Sequence, residues 1–526
     1  MRSYYAHLMN TAPTETIVAA KPILRASSLF PVFQYQGISS RILFMGYWFV
    51  KRNITELTQV TTLRDSQGNV LVRFVTTIKE AKGYRIELTE LLQKAGRHVD
   101  SEFEGTVEVE FFSLQNLVFP FPALLVNYYG EDFSTCVHTA QRVYNNYEDM
   151  QANSETKVPE AGFNVYSTDN IQPFVTLLNG PEKCPNSHLH VECFNHAGHV
   201  LKEHINLGDL APYQAKTIHL NEVLPLDKFL NQRVGTLRIA FDVRWVFPRL
   251  LVGNRQLNPP AMAITHTYYD CTRANTSSDY WYAVNDEWYT AALMLPLCAQ
   301  GNAQTKYYFY PIYSPSSFSV DLEIYNKDGE RVATVPKALH ITSPSSSFEN
   351  IDAAAHVRRL GLENEFPLGA RLIARPDEGT NLPARIKLAL DIGASPKSLP
   401  CNICTNLQPF NPSWIDKKHS FKWAPILSDQ PNPEVWIMNS CPQIHYKSEA
   451  EIVVRFYREA DTEVIERIYH LPPHGSMVIR IDEDDELKNF MGNLPGWLTA
   501  VSTNPYTTTY YFSRPSEGVV GGDHGF

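Results

Sequence analysis

The stretch Ser187-His-Leu-His-Val-Glu-Cys-Phe-Asn-His-Ala-Gly-His-Val-Leu-Lys-Glu-His204 decides the fold. Apolar and polar residues alternate, the chain turns at Asn195 to Gly198, and the alternation resumes, which is the pattern of two strands joined by a tight turn. The hairpin has counterparts at Asp65-Ser-Gln-Gly68-Asn-Val, at Asn326-Lys-Asp-Gly329-Glu-Arg-Val and, degraded, at Arg458-Glu-Ala-Asp-Thr462-Glu-Val. Gly68 to Gly198 is 130 residues, Gly198 to Gly329 is 131, and Gly329 to Thr462 is 133. A fixed period of this kind marks repeated structural units.

Three further landmarks follow each turn in the same order. An acidic step closes a short strand in Tyr84-Arg-Ile-Glu-Leu88-Thr-Glu, Lys216-Thr-Ile-His-Leu220-Asn-Glu, Phe348-Glu-Asn-Ile351-Asp and Met477-Val-Ile-Arg-Ile481-Asp-Glu. A glycine (Gly105, Gly235, Gly369, Gly496) opens the next strand, and a proline (Pro122, Pro260, Pro383, Pro505) precedes the last. Helical patterning is confined to one-turn pieces near 89–94, 226–230, 353–357 and 484–490, always between the acidic step and the glycine. The expected fold is all-β: four tandem antiparallel β-sandwiches, Ig-like or jelly-roll-like, arising from an internal repeat of about 130 residues. The expected boundaries are an N-terminal arm over 1–27 and sandwiches over 28–150, 160–280, 290–408 and 418–526, the last with a short Gly-rich tail.

Composition agrees with packed domains rather than disorder: 526 residues, 44% hydrophobic and 19% charged. A net charge of −10 with scattered Lys and Arg argues against nucleic-acid binding. No apolar run approaches the ~20 residues of a membrane span, and the first residues lack the apolar core of a signal peptide, so the expected compartment is cytoplasmic, with leaderless export also compatible. Eight cysteines in this length do not make a disulfide scaffold. The lone pair Cys401-Asn-Ile-Cys404 has no second pair for a zinc ribbon and no βαβ context for redox chemistry, and is expected in a turn.

Candidate sites are of three kinds. His188, His190 and Glu192 alternate along one strand and so share a face, a spacing that a divalent metal accepts; the competing reading is a solvated strand face. Tyr280, Trp281, Trp288 and Tyr289, with the aromatic run Lys306 to Tyr313, flank the junction of the second and third units. Such rings either lie buried between units or form a platform for sugar rings. His266 and Asp270 follow the second unit's proline, and His138 and the Asp523-His524 pair stand in comparable places, so that Tyr, His and Asp collect repeatedly after this strand. No partnered nucleophile or phosphate-binding loop occurs, which counts against an enzyme. The expected function is a non-enzymatic structural or interaction protein that binds a protein partner or self-assembles through the aromatic-rich unit junctions and loop ends. A carbohydrate-binding array and a metal-dependent enzyme at a His/Asp junction are the alternatives, and no organic cofactor is implied.

Overall fold

The structure, a computed structural model, describes residues 21–526 apart from 139–140, 155–159, 162, 248, 270–280, 284–285, 290–291, 313, 315, 343–347, 380, 384–385 and 408–416. Three of the four hairpins are set by an Asx residue at the head of the turn. Asp65 Oδ1 accepts the backbone N–H groups of Gln67 and Asn69 at 3.0 and 2.9 Å. Asn195 Oδ1 does the same for Ala197 and His199, both at 3.0 Å, and Asn326 Oδ1 for Asp328 and Glu330 at 3.1 and 2.9 Å. These short side chains replace strand pairing where the chain reverses.

Among the described residues the chain forms eight antiparallel sheets of four or more strands and one two-stranded ribbon. The first unit shows the plan. Its outer sheet runs Arg25–Gln34, Phe103–Phe112, Leu57–Asp65, Val70–Ile78, and its inner sheet runs Gly83–Glu87, Ser39–Met45, Leu124–Tyr129, Ser134–His138. Alternate residues of the two sheets, such as Leu63 and Val107 against Ile42 and Val126, meet in one apolar core. The same inner order recurs as Ala215–His219, Ile171–Leu178, Leu251–Gln256, Ala261–His266, then as Glu349–Asp352, Gln304–Phe309, Ile386–Gly393, Cys401–Leu407, and finally as Ser476–Arg480, Pro433–Met438, Thr508–Ser513, Gly521–His524. Short helices at Leu88–Lys94, Leu226–Leu230, Ala353–Arg359 and Asp485–Met491 follow the acidic step of each unit. No helix among the described residues is long and apolar enough to cross a membrane.

Three details differ from the sequence reading. The first strand begins at Arg25, inside the expected arm. The strand after Pro260, Ala261–His266, is the last of its sheet; the counterpart of the strand after Pro122 is Leu251–Gln256, and Pro260 lies in the turn between these two. Cys401 and Cys404 lie inside the strand Cys401–Leu407, not in a turn, and no described cysteine is in a disulfide.

Contacts run between successive sheet pairs and back from the fourth pair to the first. Phe33 of the first meets Phe174 of the second edge-on at 6.0 Å. Asn164 and Tyr166 of the second donate to Asp391 of the third at 2.9 and 2.8 Å. Phe366 of the third meets Trp436 of the fourth at 5.3 Å, and Tyr47 of the first stacks on Trp423 of the fourth at 5.2 Å. At the centre, the last strand of each inner sheet touches two of its counterparts: Ser134–His138 contacts Ala261–His266 and Gly521–His524, and Cys401–Leu407 contacts the same two.

Candidate functional site

The strand register makes three histidines equivalent. His138 stands opposite Leu125, His266 opposite Leu251 and His524 opposite Tyr510, each on the last strand of its inner sheet. Because these strands converge on the centre, the three rings meet there. His138 and His266 are edge-to-face with centroids 4.7 Å apart, and His138 and His524 lie 4.2 Å apart. One potential ligand nitrogen of each falls within 4.8 Å of the others. The third unit's equivalent position, opposite Ala389, is Cys404, whose side chain belongs to an apolar cluster with Tyr308, Tyr310 and Phe348.

The Nδ1 atom of every ring is engaged by an acceptor. His138 Nδ1 lies 2.7 Å from Asp523 Oδ2, which also accepts the His138 backbone N–H at 3.2 Å. His266 Nδ1 lies 2.8 Å from the Thr267 carbonyl, and His524 Nδ1 lies 3.0 Å from the Gly525 carbonyl. Carbonyl and carboxylate oxygens only accept, so each Nδ1 carries the proton and, in the neutral ring, the lone pair sits on Nε2. Burial, then the neighbouring His138, pushes His266 well below its usual range, and burial pushes His524 down to about 4. Asp523 goes the other way to its own burial: the charge and hydrogen bond of His138 hold its carboxyl far below the usual range.

The sequence reading expects a glycine-rich tail at Asp523 and His524; the structure forms a strand there that pairs with Tyr510–Ser513. The same strand packs against Ser134–His138, where a Cβ on Gly521 would sit 1.5 Å from the Ser134 carbonyl oxygen, so only glycine allows that approach. Phe526 stacks on Trp423 at 5.5 Å and its N–H donates to the Trp423 carbonyl at 3.0 Å, fixing the chain beyond the site.

A second concave feature lies between the second and third units. This cleft, about 450 Å³, is lined by Tyr166, His196, Arg233, Lys306, Tyr308 and Asp391, among others. Tyr308 and Phe348 stack at 5.1 Å along its wall. Asp391 sits buried between Asn164, Tyr166 and Asn402, and burial raises its carboxyl to about 6.

The remaining predicted residues are dispersed. His188, His190 and Glu192 do share an outward face, with the first two rings 6.4 Å apart. There His190 pairs with His204 across the hairpin, centroids 4.2 Å apart, and Glu192 forms an ion pair with Lys202 at 2.8 Å. Trp281 lies in the short strand Trp281–Ala283, paired with Asn381–Pro383. Trp288 is half-buried with its ring 6.1 Å from Tyr506, and Tyr289 lies under the Arg371 guanidinium at 4.5 Å. Tyr280 and Asp270 lie outside the described residues, as does Cys271. The sequence places His138, His266 and His524 in comparable positions but not together; what brings them together is their shared strand register. No protein-family model matches the chain, and no curated protein matches it either.

Proposed function

We propose that this protein is a non-enzymatic structural or interaction protein, a rigid four-unit scaffold that binds a partner or a second copy of itself. The observation that carries this reading is the division of its surfaces. The contacts between sheet pairs use the aromatic junctions internally, as Trp288 against Tyr506 and Tyr47 against Trp423 illustrate. Outside, the edge strands Val70–Ile78 and Val464–Leu471 carry exposed Val75 and Ile468, 65% and 57% accessible. An unpaired edge with apolar side chains invites another strand or chain. Light scattering over a concentration series tests this. Self-association or partner capture that is lost in Val75→Lys or Ile468→Lys supports it, and a monomer with no partner at micromolar concentration, unchanged by either substitution, counts against it.

The cleft favours a second reading, a carbohydrate or similar polar ring compound held against Tyr308 and Phe348. Its volume is that of a small-ligand site, and Arg233, Lys306 and Asp391 would supply the orienting polar groups. Glycan-array binding lost in Arg233→Ala supports this reading; binding that survives Arg233→Ala but fails in Trp288→Ala moves it to the other aromatic junction.

A further inference from the structure

We propose that His138, His266 and His524 together bind one divalent transition-metal ion of the zinc type, so that the ion fastens the first, second and fourth units where their last inner strands meet. Three observations converge. The rings come from three units yet bring one nitrogen each within 4.8 Å of the others. Bound to zinc at ~2.0–2.1 Å in tetrahedral geometry, such nitrogens stand ~3.3 Å apart, so small ring rotations close the set. Each Nδ1 is already engaged, by Asp523, by the Thr267 carbonyl and by the Gly525 carbonyl. That is the arrangement in which metal-ligating histidines are held by outer acceptors that fix the tautomer and raise the basicity of Nε2.

Mutual packing of three histidine rings would not by itself require an acceptor on every Nδ1. A carboxylate behind one ligand and carbonyls behind the other two also suit a cation, because the Asp523 charge offsets part of the ion's. His524 is partly exposed while His138 and His266 are buried. Solvent for the fourth position of a tetrahedral ion would therefore enter from the His524 side. Imidazole ligands select zinc, copper, nickel or iron over calcium and magnesium. The outward triplet His188, His190 and Glu192 is less suited, because Glu192 is held by Lys202.

Full-length protein stripped with chelator and titrated with Zn(II) by calorimetry tests the proposal. One equivalent of Zn(II) is expected, and Co(II) in its place is expected to give the intense visible bands of a four-coordinate ion. His524→Gln, at the partly exposed position, and Asp523→Asn, which removes the charged acceptor, are each expected to weaken binding roughly 10–100-fold, with His190→Gln unchanged. Near-UV circular dichroism reports whether each variant folds. X-ray absorption of the zinc-loaded wild type needs no variant: three imidazoles at ~2.0–2.1 Å support the site. No stoichiometric uptake, fewer than three imidazoles, or binding kept in His524→Gln but lost in His190→Gln overturns it.

Discussion

His138 and Asp523 stand 385 residues apart in the chain and 2.7 Å apart in the fold. The first unit's last inner strand and the fourth unit's last inner strand are thus joined by a buried charge-assisted hydrogen bond. Asp523→Ala removes the acceptor for both the ring and the backbone N–H of His138. Hydrogen bonds to charged groups contribute about 1.5–3 kcal/mol, so a loss of that order is expected in urea unfolding. An unchanged midpoint would show that the junction carries no stability.

A second joint between the same two units is the Arg41–Asp429 pair. Arg41 is 2% exposed, and its guanidinium donates to both Asp429 oxygens at 2.6 and 3.0 Å. Asp429→Ala leaves the buried Arg41 with only the more distant Glu87 carboxylate at 3.7 Å, so a loss toward the lower end of about 3–5 kcal/mol is expected. Replacing both residues with apolar ones of similar volume is expected to recover much of the loss. Denaturant midpoints of the single and double variants check this.

The hairpin turns differ in what surrounds them. Gly68 has φ +90° and a Cβ there would lie 2.2 Å from the Pro212 carbonyl oxygen of the second unit, whereas Gly198, φ +76°, has open space. Gly198→Ala is expected to cost about 1 kcal/mol, from backbone conformation alone. Gly68→Ala adds a steric term of about 1–3 kcal/mol. Equal melting temperatures for the two variants would contradict the contact between units.

Two buried groups give opposite pH slopes. Asp391, raised to about 6 by burial from an ordinary 3.8, binds its proton more tightly when folded, so its contribution is present at low pH and is lost as pH rises through about 6. His474 is pushed down from 6.5 to about 3 by burial and by Arg371, so it is protonated more readily when unfolded and stability falls as pH drops from about 6.5 to about 3. Each slope approaches roughly 1.4 kcal/mol per pH unit. Relative to wild type, Asp391→Asn is expected to gain stability between pH 4 and about 6, and His474→Gln to gain as pH falls from about 6.5. Stability curves parallel to wild type in both variants would contradict the assignments.

Local features were the legible ones. The Asx residues Asp65, Asn195 and Asn326 fix their turns through contacts two to four residues away, so the hairpins and the short helices after each acidic step are readable from neighbouring residues alone. Apolar alternation gave the sandwich for the same reason. What escaped was set by closure. Whether a strand is an edge, as Ala261–His266 is, depends on partners more than a hundred residues distant, and Pro260 marks a turn in one unit where Pro122 leads a central strand in another. Gly521 carries no sign in sequence that Ser134 needs its missing side chain, nor Gly522 that Phe512 and Tyr511 do. His188 and His190 are neighbours in sequence and so stand out as a pair, while the three histidines that meet in space are each alone in theirs.

The strand Gly521–His524 has a consequence for how the chain matures. It packs against Ser134–His138, a strand that precedes it by more than 380 residues. During synthesis the Ser134–His138 strand, apolar through Cys136 and Val137, waits for that packing partner while the later sheets emerge. The central contacts therefore form late, and apolar surface stays exposed there in the growing chain.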